Sequence, residues 1–104
     1  MFPHTKSLSK QLGMQYVRNI AVEHGEAGVR ANAVSPGLVQ TDMAQGLIDN
    51  PDELAKEMAR STVGRMGAPD EIAGVVVMLV CDAGGYVNGQ TIAVDGGQTI
   101  RYVV

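Results

Sequence analysis

The chain has one cysteine, no long apolar run and no excess of basic charge, and each shortage removes a class of function. Cys81 alone can build neither a disulfide framework nor a thiolate metal cage, and in its apolar run it reads as a small buried hydrophobe. His4 and His24 fall in segments that read as surface and have no matching ligand spacing, so no metal site is expected. The longest apolar run, Val75 to Cys81, is well short of the roughly 20 residues that cross a bilayer. Met1-Phe2-Pro3-His4 lacks a basic stretch followed by an apolar one, so it does not read as a secretory signal. Eight Lys and Arg are scattered among eleven Asp and Glu, giving a net charge of −3. That balance argues against a nucleic-acid partner or a membrane surface. The expectation is a soluble protein of a reducing, cytoplasmic compartment.

What is present suffices for a core. The 104 residues fit one small domain spanning the whole chain, and 45% apolar against 18% charged residues describes a packed chain. No internal repeat, low-complexity segment or linker interrupts it.

From Ser7 to about His24 apolar residues recur at helical spacing. Leu8, Leu12, Tyr16 and Ile20 form one stripe; Met14, Val17 and Ala21 form another, which predicts a helix buried on both sides. Gly25 and Gly28 close it. Val29 to Val34 reads as a strand ended by Ser35-Pro36-Gly37, a sequence no strand interior tolerates. Thr41 or Asp42 caps a brief helical turn through Leu47 and Ile48. Asn50-Pro51-Asp52-Glu53 is a stronger start, with a capping amide, proline at the first helical position and Glu53 at the capping-box position. The helix it opens frays near Ser61-Thr62.

Pro69-Asp70-Glu71 opens another helix, with acids at its positive end. Its β-branched run Val75-Val76-Val77 would suit a strand, but the start signal and Gly84-Gly85 favour a fully buried helix to about Asp82. Arg65 can brace the preceding loop with Asp70 or Glu71. Gln90 to Val94 is a second strand, closed by Asp95-Gly96-Gly97. Helix, strand, helices, strand is one right-handed crossover unit of a parallel α/β sheet.

Four stretches, SKQLGMQYVRNIAVEHG, VRANAVSPGLVQTDM, GRMGAPDEIA and GQTIAVDGG, resemble in order and spacing the C-terminal half of a short-chain dehydrogenase/reductase. The resemblance runs from about Ser7 to Gly97. It implies a partial Rossmann-type sheet, the C-terminal half of a doubly wound fold, and NAD- or NADP-dependent oxidoreduction of a carbonyl or alcohol. Family members carry a tyrosine and, four residues later, a lysine at the start of the long helix. The lysine lowers the phenol's pKa and bonds the nicotinamide ribose. Lys10 stands at the lysine position and Lys6 at the tyrosine position.

A phenol of pKa about 10 beside an ammonium is pushed toward ionisation, whereas two ammoniums one turn apart repel. Lys6 is therefore either a tuned proton donor or a solvated helix-start residue. Pro36, Gly37, Val39 and Thr41 match the segment that lines the nicotinamide, with main-chain groups at Val39 and the Thr41 hydroxyl meeting the carboxamide. Read without the family, the same segment is a strand-to-helix turn capped by Thr41.

No glycine-rich turn joins a strand to a helix N-terminus, so the diphosphate cradle is missing from these residues. The expectation is a truncated, catalytically incomplete reductase portion. The alternatives are half of a split reductase and a non-enzymatic oligomerisation module. In each, a homodimer or higher oligomer built on the Leu8–Ile20 helix and open strand edges is expected.

Overall fold

The computed structural model describes residues 3–101, with side chains described from residue 10 onward. The chain folds as two compact units, Met1–Ala33 with Met78–Ile92, and Val34–Val77 with Ala93–Val104. Its elements are α1 (Pro3–His24), β1 (Ala33–Pro36), α2 (Gln45–Ile48), α3 (Pro51–Met58), α4 (Pro69–Val80) and β2 (Thr91–Val94), joined by single 3-10 turns. The strands form a two-stranded sheet. Ala33 N–H donates to Gln90 O at 2.8 Å and Gly37 N–H to Val94 O at 3.0 Å, so both strands run the same way.

In the first unit α1 begins at Pro3, earlier than the apolar pattern suggests. Of the two stripes, Met14, Val17 and Ala21 are covered, while Leu12 and Tyr16 are 63% and 67% exposed. Burial on both sides is thus overturned: one stripe meets the unit and the other faces outward. Leu8 belongs to side chains outside the described residues. Gly28, at φ +83°, closes the 3-10 turn after α1 in a left-handed conformation that glycine adopts without strain.

The expected strand at Val29–Val34 lies further on, at Ala33–Pro36. Groups outside any ladder satisfy residues 30–32. Ala31 N–H donates to Asn88 Oδ1 at 3.0 Å and Ala31 O accepts Gly89 N–H at 2.8 Å. Asn32 Nδ2 donates to Val87 O at 2.9 Å. Proline is tolerated at the end of β1 because Ala33 and Gly37 turn their N–H groups toward β2, so position 36 faces the other way and owes the ladder no donor.

Arg30 Nη1 donates to Leu79 O, Gly84 O and Val87 O at 2.8, 2.8 and 3.2 Å. One guanidinium thereby serves a carbonyl of the last turn of α4 and two in the loop beyond. The helix stops at Val80, and Cys81 adopts an extended conformation with its side chain exposed rather than buried.

In the second unit α3 starts as its sequence predicts: Asn50 Oδ1 accepts Glu53 N–H at 3.4 Å, with Pro51 at the first position. The helical choice for Val75–Val80 is correct. Full burial is not, since Val76 and Val77 are 42% and 60% exposed and only Leu79 of α4 is buried. A two-stranded sheet is too narrow to cover an apolar helix all round. The closing turn is held at Gly96 O, which accepts Thr62 N–H at 3.0 Å, Val63 N–H at 3.2 Å and the Thr62 hydroxyl at 2.8 Å. Gly97 lies at φ +81°, where any Cβ would run into Thr62.

Candidate cofactor site

The C-terminal end of β1 runs into Pro36-Gly37-Leu38-Val39. Gly37 is required by contact: a Cβ there would lie 2.7 Å from Asp95 Cα. Beyond it, Val39 pairs with Gly67 in an isolated parallel bridge. Its two bonds use neighbouring groups, Gly67 N–H to Leu38 O and Gln40 N–H to Gly67 O, each 2.9 Å. The N–H and C=O of Val39 therefore point away from the bridge, and neither has a backbone partner among the described residues. Thr41 takes the N-cap position of the next 3-10 turn, Asp42–Ala44, but its side chain makes no capping bond. The plain capping role expected for it is not what the geometry provides.

Pro36, Val39 and Thr41 line one groove of about 570 Å³, whose other wall is Pro69, Ile72, Ala73, Val76 and Val77 of α4. The structure thus gathers three of the four segment residues, with Gly37 shaping the corner. The α4 wall was not foreseen as part of the site, although APDEIAGVVV carried the signal in its uncharged stretch after Glu71.

A nicotinamide carboxamide offers one carbonyl acceptor and an NH₂ donor. The outward N–H and C=O of Val39 with the uncommitted Thr41 hydroxyl are the complementary set, so these residues fit that end of the cofactor. Lys10 is exposed on α1, in the other unit. Lys6 also falls within α1, but its side chain lies outside the described residues.

Next to the groove, Arg65 grips Glu71 with two bonds of 2.7 and 2.9 Å. Of the two acids expected as its partner, Glu71 is the one. Arg65, together with the Ala68 N–H donated to Glu71 Oε1 at 2.9 Å, brings the Glu71 carboxyl down from an ordinary 4.5 to about 2. The Asp95 carboxyl is also lowered, first by hydrogen bonding to Thr99 and further by the main-chain N–H of Gly97, against a small opposing effect of burial.

A small parallel sheet with helices and a ligand-sized groove at a strand's C-terminal end defines an α/β protein of the Rossmann type. A family profile described as enoyl-(acyl carrier protein) reductase matches residues 4–99. A tropinone reductase homologue of Arabidopsis thaliana is 40% identical over 94 residues, covering 90% of this chain and 35% of its own length. A short-chain type dehydrogenase/reductase of Mycobacterium ulcerans superposes with a TM-score of 0.86 at 30% identity, over 90% of this chain and 34% of that one. A protein of Agrobacterium tumefaciens, provisionally assigned as a 2-deoxy-D-gluconate 3-dehydrogenase and holding bound NADP, gives a TM-score of 0.82 at 31% identity, covering 85% and 36%.

The chain belongs to the short-chain dehydrogenase/reductase family, a family of oxidoreductases. It spans about a third of the length of the curated relatives it matches. Among the described residues no helix is long and apolar enough to cross a membrane.

Proposed function

We propose that residues 1–104 form the nicotinamide side of an NAD(P)-dependent site for a small carbonyl or alcohol, and do not turn over by themselves. The outward peptide groups of Val39 beside Thr41, at the end of β1, carry this reading. Val39 and Thr41 hold the carboxamide, and the Pro36-Gly37 corner fixes them to the sheet. The bound nicotinamide supplies or accepts the hydride. Lys10 bonds the ribose and lowers the pKa of a neighbouring hydroxyl. Lys6, four residues before it, places an ammonium where the family holds a phenol, so the usual proton relay is lost. A dinucleotide gripped only by its nicotinamide end is held weakly, because the diphosphate has no helix N-terminus to meet.

Calorimetric titration of the purified chain with NADPH and NADH tests this. No saturable binding below about millimolar is expected. Tight binding by the chain alone would overturn the proposal. In a sample completed with the remaining portion of an Arabidopsis relative, Lys6→Tyr should raise turnover and Thr41→Val should weaken cofactor binding.

The apolar groove along α4 favours the split-reductase alternative among the readings above. Its α4 wall has no charged side chain, and Val77 is 60% exposed, so it suits an apolar strand-and-helix portion of a relative. Val77→Asp should abolish complementation in trans while leaving the isolated chain folded.

The outward Leu12–Tyr16 stripe supports self-association into a homodimer or larger oligomer in the cytoplasm. A stable monomer in sedimentation at micromolar concentration would count against that assembly, but not against the cofactor reading.

A further inference from the structure

We propose that Asn88–Gly89 is a deamidation site that the fold keeps shut, so that opening of the first unit is converted into permanent covalent damage. Asparagine followed by glycine is the pair in which the next main-chain nitrogen is least shielded by a side chain. In the reaction the Gly89 nitrogen attacks Asn88 Cγ. A new N–Cγ bond forms, the Cγ–Nδ2 bond breaks, and ammonia leaves with the proton lost from Gly89 N. Water then adds to either carbonyl of the cyclic imide, giving aspartate or isoaspartate. Nothing is oxidised or reduced, and water is the only co-reactant.

In the folded unit a single residue holds both reacting groups. Ala31 O accepts the Gly89 N–H at 2.8 Å, and Ala31 N–H donates to Asn88 Oδ1 at 3.0 Å. The nucleophile and the amide it must reach are tied to opposite sides of the Ala31 residue. The backbone has little room to swing: Gly89 lies at φ +72°, and a Cβ there would sit 3.3 Å from Ala21 Cβ on α1. Asn88 itself is half-buried. Attack therefore requires both Ala31 bonds to break, which is local opening of this unit.

The damage does not reverse on closing. Isoaspartate adds a methylene to the main chain directly before Gln90. The Gln90 N–H bonds Asn32 Oδ1 at 3.0 Å, and its carbonyl accepts Ala33 N–H at 2.8 Å, the first ladder bond between β1 and β2. Lengthening the chain there moves β2 out of register.

Mass mapping of peptides from the 104-residue protein, held in mildly alkaline buffer with and without denaturing urea, tests the proposal. Conversion at Asn88 should be at least about tenfold faster in urea, with isoaspartate among the products. Arg30→Met, which loosens the same loop, should raise the rate in buffer and leave the rate in urea unchanged. Should that variant not fold, urea just below the wild-type unfolding midpoint should raise the rate in its place. Equal rates with and without urea, or no conversion in urea, would overturn the proposal.

Discussion

The two units are held together by different chemistry. In the first, side chains reach across to satisfy main-chain groups: Arg30 serves three carbonyls, and Asn32 and Asn88 bond the segments around residues 31 and 87–90. In the second, main-chain conformation does more of the work, with Gly96 and Gly97 in the left-handed region and Gly96 O collecting donors from Thr62 and Val63. The first unit is accordingly vulnerable to loss of a polar side chain, and the second to gain of a Cβ. The cofactor-fitting groove is in the second, where its peptide groups are set by backbone contacts rather than by rotamers of long side chains.

Gly97→Ala should give the largest effect. The added Cβ meets Thr62 at a backbone angle that alanine occupies reluctantly, so a loss of about 3 kcal/mol is expected from urea unfolding. Amide exchange should quicken first at Thr62 and Val63. Arg30→Met comes next, at about 2 kcal/mol, because it leaves three carbonyls without their charged donor. Its signature is faster exchange at Ala31 and Gly89, with Thr62 and Val63 little changed. If both variants quicken exchange throughout, the units open as one and the contrast between them fails. Asn50→Ala removes only a long cap of 3.4 Å at α3 and should cost about 0.5–1 kcal/mol by the same unfolding measurement.

The same contrast governs what could be read from the sequence. Start and stop chemistry acts over a few residues, so Asn50-Pro51-Asp52-Glu53, Pro69-Asp70-Glu71 and Asp95-Gly96-Gly97 declared themselves. The proline-acid start even outweighed a run of valines in fixing α4 as a helix. The position of β1 was not legible, because the groups that satisfy residues 30–32 come from the distant segment at residues 87–90. The outward stripe of α1, the exposure of Cys81 and the bare face of α4 depend on how much sheet and loop surround them, which periodicity does not record. At the site, Val39 was singled out by resemblance. Its availability follows from the bridge to Gly67, a pairing no local pattern reveals.

The smallest expected effect separates two contributions at the edge of the groove. Glu71 has a folded pKa of about 2 against an ordinary 4.5, so its ionised form supports the fold fully above 4.5, and this support is lost as the pH falls toward 2. Compared with Glu71→Gln, the wild-type protein should hold its urea midpoint advantage at neutral pH and surrender it across that window. Because Arg65 and Glu71 are both largely exposed, the ion pair should be screened in molar salt. The Ala68 N–H bond to Glu71 is short-range and survives Arg65→Met. That variant should therefore retain part of the acid dependence and lose most of its sensitivity to salt. If Arg65→Met instead removes the acid dependence entirely, the guanidinium alone sets Glu71's titration, and the loop before α4 is braced by side-chain charge, as in the first unit, rather than by its main chain.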